Sequence, residues 1–444
     1  MKTYLMNILA YIRASYWFIP LMMAILAILL ALTTTSLDWW LNQAGFHNNT
    51  LFFANQPQGA RAILSTIAGS MITVAGVTFS ITIMAVSFAL GQIGPRLIHS
   101  FMRDKVNQYT LGTFIATFLY CLLVLRLVLN GNEWPIVKAF VPHISVFTAM
   151  LLAIFNIAVF IFFIHHIASS FNVYNILAKI GLDLTKMIDK EYPLLVDLIA
   201  DPPLEQEKNR STNFSISANP IFPNHSGYIR IFDIEGICNL SVEKECVIEI
   251  KRQPGDFVTL QTPLMYINKE MDEETQKSFA TFFAIGQERD QSQDFLLLSD
   301  EIAEIIARAL SPGINDPFTA ITAINWLQSS IELFSTRQIQ HKNKYDKNNK
   351  IRVIMYPVTL SIYLERIFGQ IFPYVSRDRN TSLHMIKVIK EMFERTANTE
   401  FMRLLNSQAH ILAEMTKDKL QSPQDHGIFD KRFNEVKKLY ELKM

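Results

Sequence analysis

The sequence predicts an integral membrane protein in which four transmembrane α-helices are followed by a soluble α+β domain. Of the 444 residues, 50% are hydrophobic and only 18% are charged. Before about Ser170 the apolar residues form long runs with few charges, whereas after it they are spaced among charged residues as in a globular domain. We therefore expect a membrane bundle with both termini in the cytoplasm, then a cytoplasmic domain with a small β-barrel-sandwich-like module and an α-rich bundle.

Composition argues against several classes of function. The formal net charge is +1 and no basic cluster is interleaved with aromatic residues, so we expect no nucleic-acid partner. The three cysteines, Cys121, Cys238 and Cys246, are odd in number, lack CxxC spacing and have no histidine at metal-ligand spacing. We interpret them as packing thiols in a reducing compartment, and we expect neither a metal site nor a cofactor.

Four segments are candidates for transmembrane helices, because a helix needs about 20 mainly apolar residues to cross the hydrocarbon core of a bilayer. They are residues 17–32, 63–90, 109–129 and 144–167. The first is short, but Trp17 at its start and Trp39 and Trp40 beyond its end are placed as interfacial aromatics should be. We predict an interfacial amphipathic segment at residues 1–16 and a transmembrane domain at residues 17–168.

The orientation of the helices follows from the basic residues near their ends, which concentrate on the cytoplasmic side of a membrane protein. These residues lie in the second connection and after the fourth helix: Arg96, Arg103, Lys105, Lys179, Lys186 and Lys190. Four crossings place the two termini on the same side. The sequence thus predicts a multi-pass protein with cytoplasmic N- and C-termini.

The second segment carries a continuous helical face of small and hydroxylated residues. This face consists of Thr66, Gly69, Ser70, Thr73, Gly76, Ser80 and Ser87, and it continues through Met84 and Gly91. A helix of about 28 residues is about 42 Å long, against a core of about 30 Å, so it must tilt, bend or project. The face has two interpretations, close packing between helices or the lining of a water-filled path.

A second group of candidate residues lies at the predicted cytoplasmic exit of the helices. It consists of Gly91, Pro95, Arg96, His165 and His166. Interfacial histidines are usually solvated, although a neighbouring pair could sense pH or bind a metal; no acidic or cysteine partner is adjacent, which favours the solvated state. Deeper in the fourth helix, Asn156 is expected to form a hydrogen bond with a neighbouring helix or to belong to a permeation path.

The soluble part begins with a stalk helix and a polar loop at residues 169–226. In the β module, residues 227–268, the sequence predicts strands at 228–232, 246–251, 257–260 and 264–267, with Asp233 capping a helix between the first two. The turn Gln253-Pro-Gly-Asp256 is similar to hairpins of barrel-sandwich domains, such as biotinyl carriers. No lysine stands at the hairpin tip, which argues against a carrier function.

Residues 269–444 are predicted to be α-rich, with helices at 294–310 and 317–336, a strand at 351–355 and three or four helices after it. The join between the first two helices has two interpretations. Gly313 suits a helix stop, Asp316 an N-cap and Pro317 a first helical turn. Alternatively, the loop presents Asn315 and Asp316 to a ligand or to the membrane domain.

Another pattern in this domain is an acidic pair at helical spacing. Glu301 and Glu304 lie three residues apart, and Arg308 follows Glu304 by four. We interpret the three as a solvated ion-pair face rather than as a paired general acid and base, because exposed charges at this spacing are common on helices.

Five motifs together resemble a family of bacterial predicted membrane proteins, domain of unknown function 2254. They are Gly76-Val-Thr-Phe-Ser-Ile-Thr, Gln92-Ile-Gly-Pro-Arg96, Leu111-Gly-Thr-Phe-Ile-Ala-Thr-Phe-Leu-Tyr-Cys121, His165-His166 and Arg308-Ala-Leu-Ser-Pro-Gly-Ile-Asn-Asp-Pro-Phe-Thr-Ala320. The similarity extends from the first helix to about residue 330. It implies a bacterial inner-membrane location and a topology, but no catalytic residues.

No phosphate-binding loop, nucleotide-binding glycine fingerprint, nucleophile elbow or HExxH motif occurs, so we do not expect an enzyme. Two classes remain. The favoured one is a homo-oligomeric ion channel or transporter-like pore lined by the second helix and regulated by the cytoplasmic domain. The other is a membrane-anchored signalling or scaffolding protein whose cytoplasmic domain binds a ligand or protein. The expected partners are the lipid bilayer, further copies of the chain, and an ion or small molecule.

Overall fold

The computed structural model describes residues 17–43, 56–92, 105–129, 140–170, 172–192, 219–337, 343–420 and 422–443. The chain divides into two compact units between Asn172 and Val173. The first contains the apolar helices, and the second is a mixed domain of helices and sheets.

Four helices of the first unit are long and apolar enough to cross a membrane. They are α1 (Phe18–Gln43), α2 (Pro57–Gln92), α3 (Lys105–Leu125) and α4 (His143–Ser170). The predicted number and order of apolar helices are therefore confirmed. The predicted end of the first helix is wrong, because α1 continues through Trp39 and Trp40 to Gln43. Hydropathy falls after Leu32, but polar side chains of the last turns bond to other helices: Thr34 shares a hydrogen bond with Tyr120, and Asp38 accepts from the start of α4.

Helix α2 has 36 residues, more than the segment that hydropathy alone marked. It is about 54 Å long and is continuous through Gly76. Polar residues such as Gln58 and Arg61 extend it beyond the apolar run, since helical hydrogen bonding does not require apolar side chains. Near its start, the Arg61 guanidinium donates to the carbonyl oxygen of Val128 at 2.8 Å, next to the end of α3.

The core of this unit lies around α3, whose buried Tyr120, Cys121 and Val124 contact the neighbouring helices. The side chains that face α3 are mostly small: Ala27 and Ala31 of α1, Ala60, Leu64 and Ala68 of α2, and Val146 and Ala149 of α4. Small side chains let helix backbones approach closely in lipid, where packing drives association. The packed seam of α2 is thus an alanine row, distinct from its glycine and hydroxyl face.

The second unit begins with α5 (Val173–Glu191), which buries Leu177, Ile180, Gly181, Leu184 and Ile188, as its helical spacing predicts. Two open sheets follow. Their strands are β1 (Asn219–Ile221), β2 (Gly227–Phe232), β3 (Ile248–Ile250), β4 (Phe257–Val258), β5 (Met265–Ile267), β6 (Phe283–Gly286), β7 (Lys344–Tyr345) and β8 (Ile351–Met355). The strand order is β1-β5-β3-β8-β7 in one sheet and β4-β2-β6 in the other, and only β3 and β8 are parallel.

All the strands predicted in the β module are present, and Asp233 caps α6 (Ile234–Glu243) as predicted. Among the described residues neither sheet closes into a barrel, so the likeness to a barrel-sandwich domain stays a prediction. The polar loop predicted up to Ser226 is wrong at Asn219–Ile221, because this short segment pairs with β5. A three-residue strand leaves too little periodicity to be recognised in sequence.

The remaining helices confirm the predicted α-rich end of the chain. They are α7 (Glu273–Ala280), α8 (Phe295–Ala309), α9 (Pro317–Ser335), α10 (Leu360–Val375), α11 (Arg379–Arg395), α12 (Thr399–Thr416) and α13 (Pro423–Lys443). Asp294 and Asp316 cap α8 and α9 by accepting from backbone N–H groups of the first turn. Four helices thus follow β8, within the predicted number.

Candidate functional site on the second membrane helix

The predicted face of α2 is exposed in the membrane unit along its described length. Its members Thr66, Gly69, Ser70, Thr73, Gly76, Ser80, Met84, Ser87 and Gly91 are all solvent-accessible in the single chain. The opposite side of α2 is buried against α3, through Ala60, Leu64, Ala68, Met71 and Ala75. Among the described residues of the single chain, no helix therefore packs against the glycine and hydroxyl face of α2. We call this set of exposed residues the α2 polar face.

Hydroxyl groups on the α2 polar face bond to their own helix. Ser70 donates to the Thr66 carbonyl oxygen at 2.8 Å, Thr73 to that of Gly69 at 2.8 Å, and Ser80 to that of Gly76 at 2.9 Å. Such bonds satisfy the hydroxyl proton in a medium without water and leave the oxygen lone pairs directed outward. At these three positions the face can therefore accept hydrogen bonds without exposing an unsatisfied donor.

The glycines of the α2 polar face border open space. A β carbon built on Gly69, Gly76 or Gly91 would meet no atom within 4 Å outside its own helix backbone. Gly112 of α3 differs, since a β carbon there would clash with Met23 of α1. Gly112 is thus required by packing within the chain, whereas the glycines of α2 are not.

The exposed face of α4 has a different chemistry. Between Phe147 and Ile164 its exposed side chains are Phe147, Leu151, Ile154, Phe155, Ile157, Ala158, Ile161, Phe162 and Ile164. No hydroxyl group or glycine occurs among them. Large aliphatic and aromatic side chains match the acyl chains of lipid, and this is the composition expected of a lipid-facing helix.

A buried carboxylate joins α1 to the start of α4. Asp38 accepts hydrogen bonds from the backbone N–H of Ile144 at 2.8 Å, from that of Ser145 at 2.9 Å and from the Ser145 hydroxyl at 2.6 Å. The first N–H groups of a helix have no intrahelical partner, so Asp38 acts as an N-cap supplied by another helix. The Tyr120 hydroxyl donates to the Ser145 carbonyl oxygen at 3.1 Å and completes this network.

The polar residue in the middle of α4 also faces inward. The Asn156 amide donates to the Thr117 hydroxyl of α3 at 2.7 Å and to the Leu152 carbonyl oxygen at 2.8 Å. Asn156 is buried and lies away from the exposed face of α4. The expected hydrogen bond to a neighbouring helix is therefore confirmed.

The candidates at the cytoplasmic exit are only partly described. Gly91 is exposed one residue before the end of α2, and Pro95 and Arg96 lie outside the described residues. His165 is exposed near the end of α4, and the His166 ring is stacked on Phe162 with a centroid separation of 6.1 Å. Stacking on an aromatic ring accounts for the orientation of His166 without a ligand.

In the soluble unit, the loop between α8 and α9 places its residues differently from the sequence prediction. Gly313 has no positive φ; the left-handed residue is Asn315, with φ of 49°. Asparagine tolerates this conformation, and its N–H donates to the Ser311 carbonyl oxygen at 2.9 Å within the loop. The bond back to the last residue of α8 comes from the Asp316 N–H, which donates to the Ala309 carbonyl oxygen at 2.7 Å. Asp316 caps the start of α9: its carboxylate accepts from the backbone N–H groups of Phe318 and Thr319 and from the Thr319 hydroxyl.

The predicted solvated acidic face is also wrong in part. Glu304 does pair with Arg308 at 3.4 Å, but Glu301 is buried and accepts from the Gln291 amide at 3.0 Å. Most of α8 is buried, because α5, α9 and α10 surround it. Spacing along one helix cannot reveal neighbours on every side.

Buried charges connect α8 to α10. Asp300 accepts from Arg366 at 2.8 and 2.7 Å and from Arg289 at 2.5 Å, while Arg289 also bonds Asp294 at 2.7 Å. Burial raises the pKa of Asp294 to about 6, and the nearby Arg289 only partly opposes this effect. Burial also acts on Asp300, but hydrogen bonds from Arg366, Arg289 and Gln370 outweigh it and hold the pKa of that carboxyl below its usual value.

The turn of the β module lies against this cluster. Gly255 has φ of 93°, and a β carbon there would clash with the Asp294 carboxylate. The Asp256 carboxylate accepts from the Gln253 N–H at 3.0 Å and closes the turn. The glycine of the Gln253-Pro-Gly-Asp256 motif is therefore required for both its backbone conformation and its close approach to α8.

Residues 13–391 match the model of a family described as "Predicted membrane protein (DUF2254)". The chain belongs to this family. The resemblance predicted from the five motifs is thus confirmed over most of the sequence. Membership establishes a predicted membrane protein with four candidate membrane helices.

Mycobacterial proteins are among the relatives of this family member. Uncharacterized protein Mb1321c of Mycobacterium bovis and uncharacterized protein Rv1290c of Mycobacterium tuberculosis are each 28% identical to it over 334 residues, which is 74% of this chain. The aligned region covers 62% of the length of each relative. No solved structure matches the chain.

Sequence reasoning missed Asp38 as a polar residue within the first helix, because the predicted segment stopped before it. The sequence does contain a signal for it, because Asp38 is the one carboxylate of the 26-residue helix α1 and a lone acidic residue in a membrane helix needs a partner. It also missed the cluster around Asp300, whose members Arg289 and Arg366 are far apart in sequence. Only the fold brings these residues together.

Proposed function

We propose that this protein is a homo-oligomeric ion channel or transporter-like pore of the bacterial inner membrane, lined by α2 helices from several subunits. The observation that supports it is the exposed α2 polar face, in contrast to the large apolar side chains exposed on α4. The basic residues near the helix ends favour cytoplasmic termini, so the soluble domain would regulate the path from the cytoplasm.

The packing of the membrane unit favours a path between subunits over one through a single chain. Its interior is filled by buried side chains such as Phe114, Tyr120 and Phe163. A water-filled route therefore needs a surface that a single chain leaves open. The α2 polar face is such a surface, and several copies around a symmetry axis would enclose it.

The chemistry of the proposed lining limits what could permeate. From Thr66 to Ser87 the α2 polar face has hydroxyl groups and glycines but no charged side chain. Oxygen lone pairs can replace part of a hydration shell, while the absence of charge gives no strong selection by sign. The lining would thus discriminate mainly by size and hydration.

The alternative is a membrane-anchored signalling or scaffolding protein whose cytoplasmic domain binds a ligand or protein. One observation favours it: the hydroxyl protons of Ser70, Thr73 and Ser80 are already bonded within α2. Such a face can pack against the same face of another subunit without water. The two functions therefore differ in what the α2 polar face contacts.

Conductance or ion flux of the purified protein in lipid bilayers tests the proposal. The test variant is Thr73→Leu with Ser80→Leu, which covers the middle of the α2 polar face. The matched control is Thr33→Leu with Ser36→Leu on α1, where both hydroxyls are also exposed and bonded to their own helix. Native mass spectrometry of each variant reports the number of subunits.

A pore predicts currents that the α2 double variant changes and the α1 control leaves as in the wild-type protein. Folded, oligomeric wild-type protein that stays silent over a range of voltage, tension and pH would support the scaffolding function instead. Currents that both variants change equally would place the path elsewhere in the protein.

A further inference from the structure

The helices of the soluble unit present a set of exposed apolar side chains at one end. Helices α5 and α9 run in the same direction, because Gly181 packs closely on the Trp326 ring at mid-length and Asp189 pairs with Arg337 at the far end. The first residues of α5 and α9 therefore lie at the same end of the unit.

Helix α11 runs in this direction as well. Its His384 ring lies 2.6 Å from the Asn325 side-chain oxygen of α9, and Arg395 near its end donates to Glu332 at 2.9 Å. The start of α11 thus lies beside the start of α9. Tyr374, in the last turn of α10, precedes α11 by only a few residues and belongs to the same end.

Four large side chains at this end are exposed to solvent in the single chain. Phe318 in the first turn of α9 is 66% exposed, Tyr174 in the first turn of α5 49%, Tyr374 40% and Ile314 37%. They come from three stretches of the chain that are distant in sequence, since Ile314 and Phe318 lie only four residues apart. We call these four residues the α5-end patch.

The covalent chain limits how far this end can be from the bilayer. Ser170 is the last residue of α4, and Val173 is the first residue of α5. Three residues of extended chain span at most about 11 Å. Helix α4, at 28 residues, is about 42 Å long, which matches the thickness of a bilayer with its headgroups, so it ends near the headgroup boundary.

Charge at this end favours no lipid class. Four basic residues, Arg377, Arg379, Lys417 and Lys419, are offset by four carboxylates: Asp418, Asp425, which pairs with Arg379 at 2.6 Å, and the capping residues Asp316 and Asp378. Aromatic residues with a polar tip, such as tyrosine, favour the interface between lipid and water, and phenylalanine favours the acyl boundary.

We propose that the α5-end patch is a lipid-contact surface, in which Phe318 and Ile314 enter the boundary between headgroups and acyl chains. Tyr174 and Tyr374 lie at the level of the headgroups. Because the local charges balance, apolar burial rather than attraction to anionic lipid holds this end on the bilayer. The contact makes the soluble unit sensitive to lipid packing whether or not α2 lines a pore.

Fluorescence quenching in the full-length protein tests this surface. Cys121 and Cys246 are buried, so replacing Cys238 with serine gives a background with little reactive thiol. Phe318→Cys and Ile314→Cys are each labelled with an environment-sensitive dye, and the protein is reconstituted in phosphatidylcholine vesicles. The control position is Ile362, which is 51% exposed and precedes Tyr363, whose ring contacts Phe334 near the other end of α9.

The proposal predicts that a nitroxide on the lipid acyl chain quenches the dye at Phe318→Cys and Ile314→Cys at least about twofold more than at Ile362→Cys, and that aqueous iodide does the reverse. The pattern should persist when about a third of the lipid is anionic, since apolar contact does not depend on charge. Iodide quenching as strong at Phe318→Cys as at Ile362→Cys would overturn the proposal. Protection from both quenchers would overturn it too, because protein would then cover the patch.

Discussion

The exposed faces of α2 and α4 differ although both helices are long and apolar enough to cross the same bilayer. That of α4 consists of large aliphatic and aromatic side chains, whereas that of α2 contains glycines and hydroxyl groups along its length. Lipid contact alone explains the first composition and does not require the second. Accessibility in one chain and contact with lipid are thus separate properties: α2 also exposes apolar side chains such as Val77 and Phe79, which suit lipid, and we propose that its glycine and hydroxyl residues contact water and other subunits.

Which side of α4 is exposed depends on the rotation of this helix about its axis, and the hydrogen bonds of Asp38 help to fix that rotation. Asp38→Ala removes three hydrogen bonds to the first turn of α4 and should lower the free energy of unfolding of the membrane unit by about 2 to 4 kcal/mol. Equilibrium unfolding in mixed micelles measures the change. Asp38→Asn keeps an acceptor oxygen and should lose less; equal losses would show that hydrogen bonding is not the cause.

A bulky side chain on each face distinguishes contact with subunits from contact with lipid. Gly76→Leu should weaken assembly on the order of tenfold, about 1.4 kcal/mol, because close approach at the α2 polar face needs small residues. The single chain has room for the leucine, since nothing lies within 4 Å of a β carbon there. The control, Ala158→Leu on the exposed face of α4, should assemble normally. Native mass spectrometry against dilution in detergent measures both, and equal behaviour would remove the distinction between the faces.

Acid pH should affect the soluble unit but not the two exposed faces of α2 and α4. Neither face has an ionisable side chain between Thr66 and Ser87 or between Phe147 and Ile164. The pKa of Asp294 is raised to about 6, so the ionised form disfavours the fold; its contribution to stability falls as pH rises from about 4 to 6. Relative to Asp294→Asn, the wild-type unit should lose about 1 kcal/mol of stability between pH 4 and pH 5.

Hydrogen exchange of the Leu297 amide, which donates to Asp294 at 3.1 Å, reports this difference once it is corrected for intrinsic exchange. Comparing wild type with the variant cancels the opposite trend of Asp300, whose pKa is lowered. A difference that does not change between pH 4 and 6 would contradict the assignment of the titration to Asp294.

Much of the architecture could be predicted because its signals are local. Runs of about 20 apolar residues reveal membrane helices, and a carboxylate before an apolar periodic segment reveals a cap such as Asp233 or Asp316. The length of α1 was missed because its last turns are polar and are held by contacts to other helices, such as the hydrogen bonds of Asp38 to the start of α4, rather than by hydropathy.

The side of α2 that packs within the chain could not be predicted from sequence. An alanine row and a glycine and hydroxyl row lie on the same helix, and both suit close packing. Only the position of α3, with Tyr120 and Val124 against Ala60 and Leu64, decides between them. The parallel pairing of β3 with β8 is similarly non-local, since about a hundred residues separate the two strands.

The smallest expected effect comes from removing a single hydroxyl from the α2 polar face. Thr73→Val should change the free energy of unfolding by less than about 0.5 kcal/mol, because its hydroxyl bonds only to the Gly69 carbonyl oxygen of the same helix. The same variant should alter conductance if the hydroxyl faces the path. A stability loss well above that range, measured in mixed micelles, would mean that Thr73 packs against another helix.

Reaction of an introduced cysteine with a charged, membrane-impermeant thiol reagent tests most directly whether water reaches the α2 polar face. Thr73→Cys and Ile157→Cys lie near the middles of α2 and α4, are both exposed in the single chain, and can be compared in the Cys238→Ser background. If a water path runs along α2, Thr73→Cys in membranes should react on the order of tenfold faster than Ile157→Cys, because the thiolate forms only in water. Equally slow reaction at both positions would contradict a water path along α2.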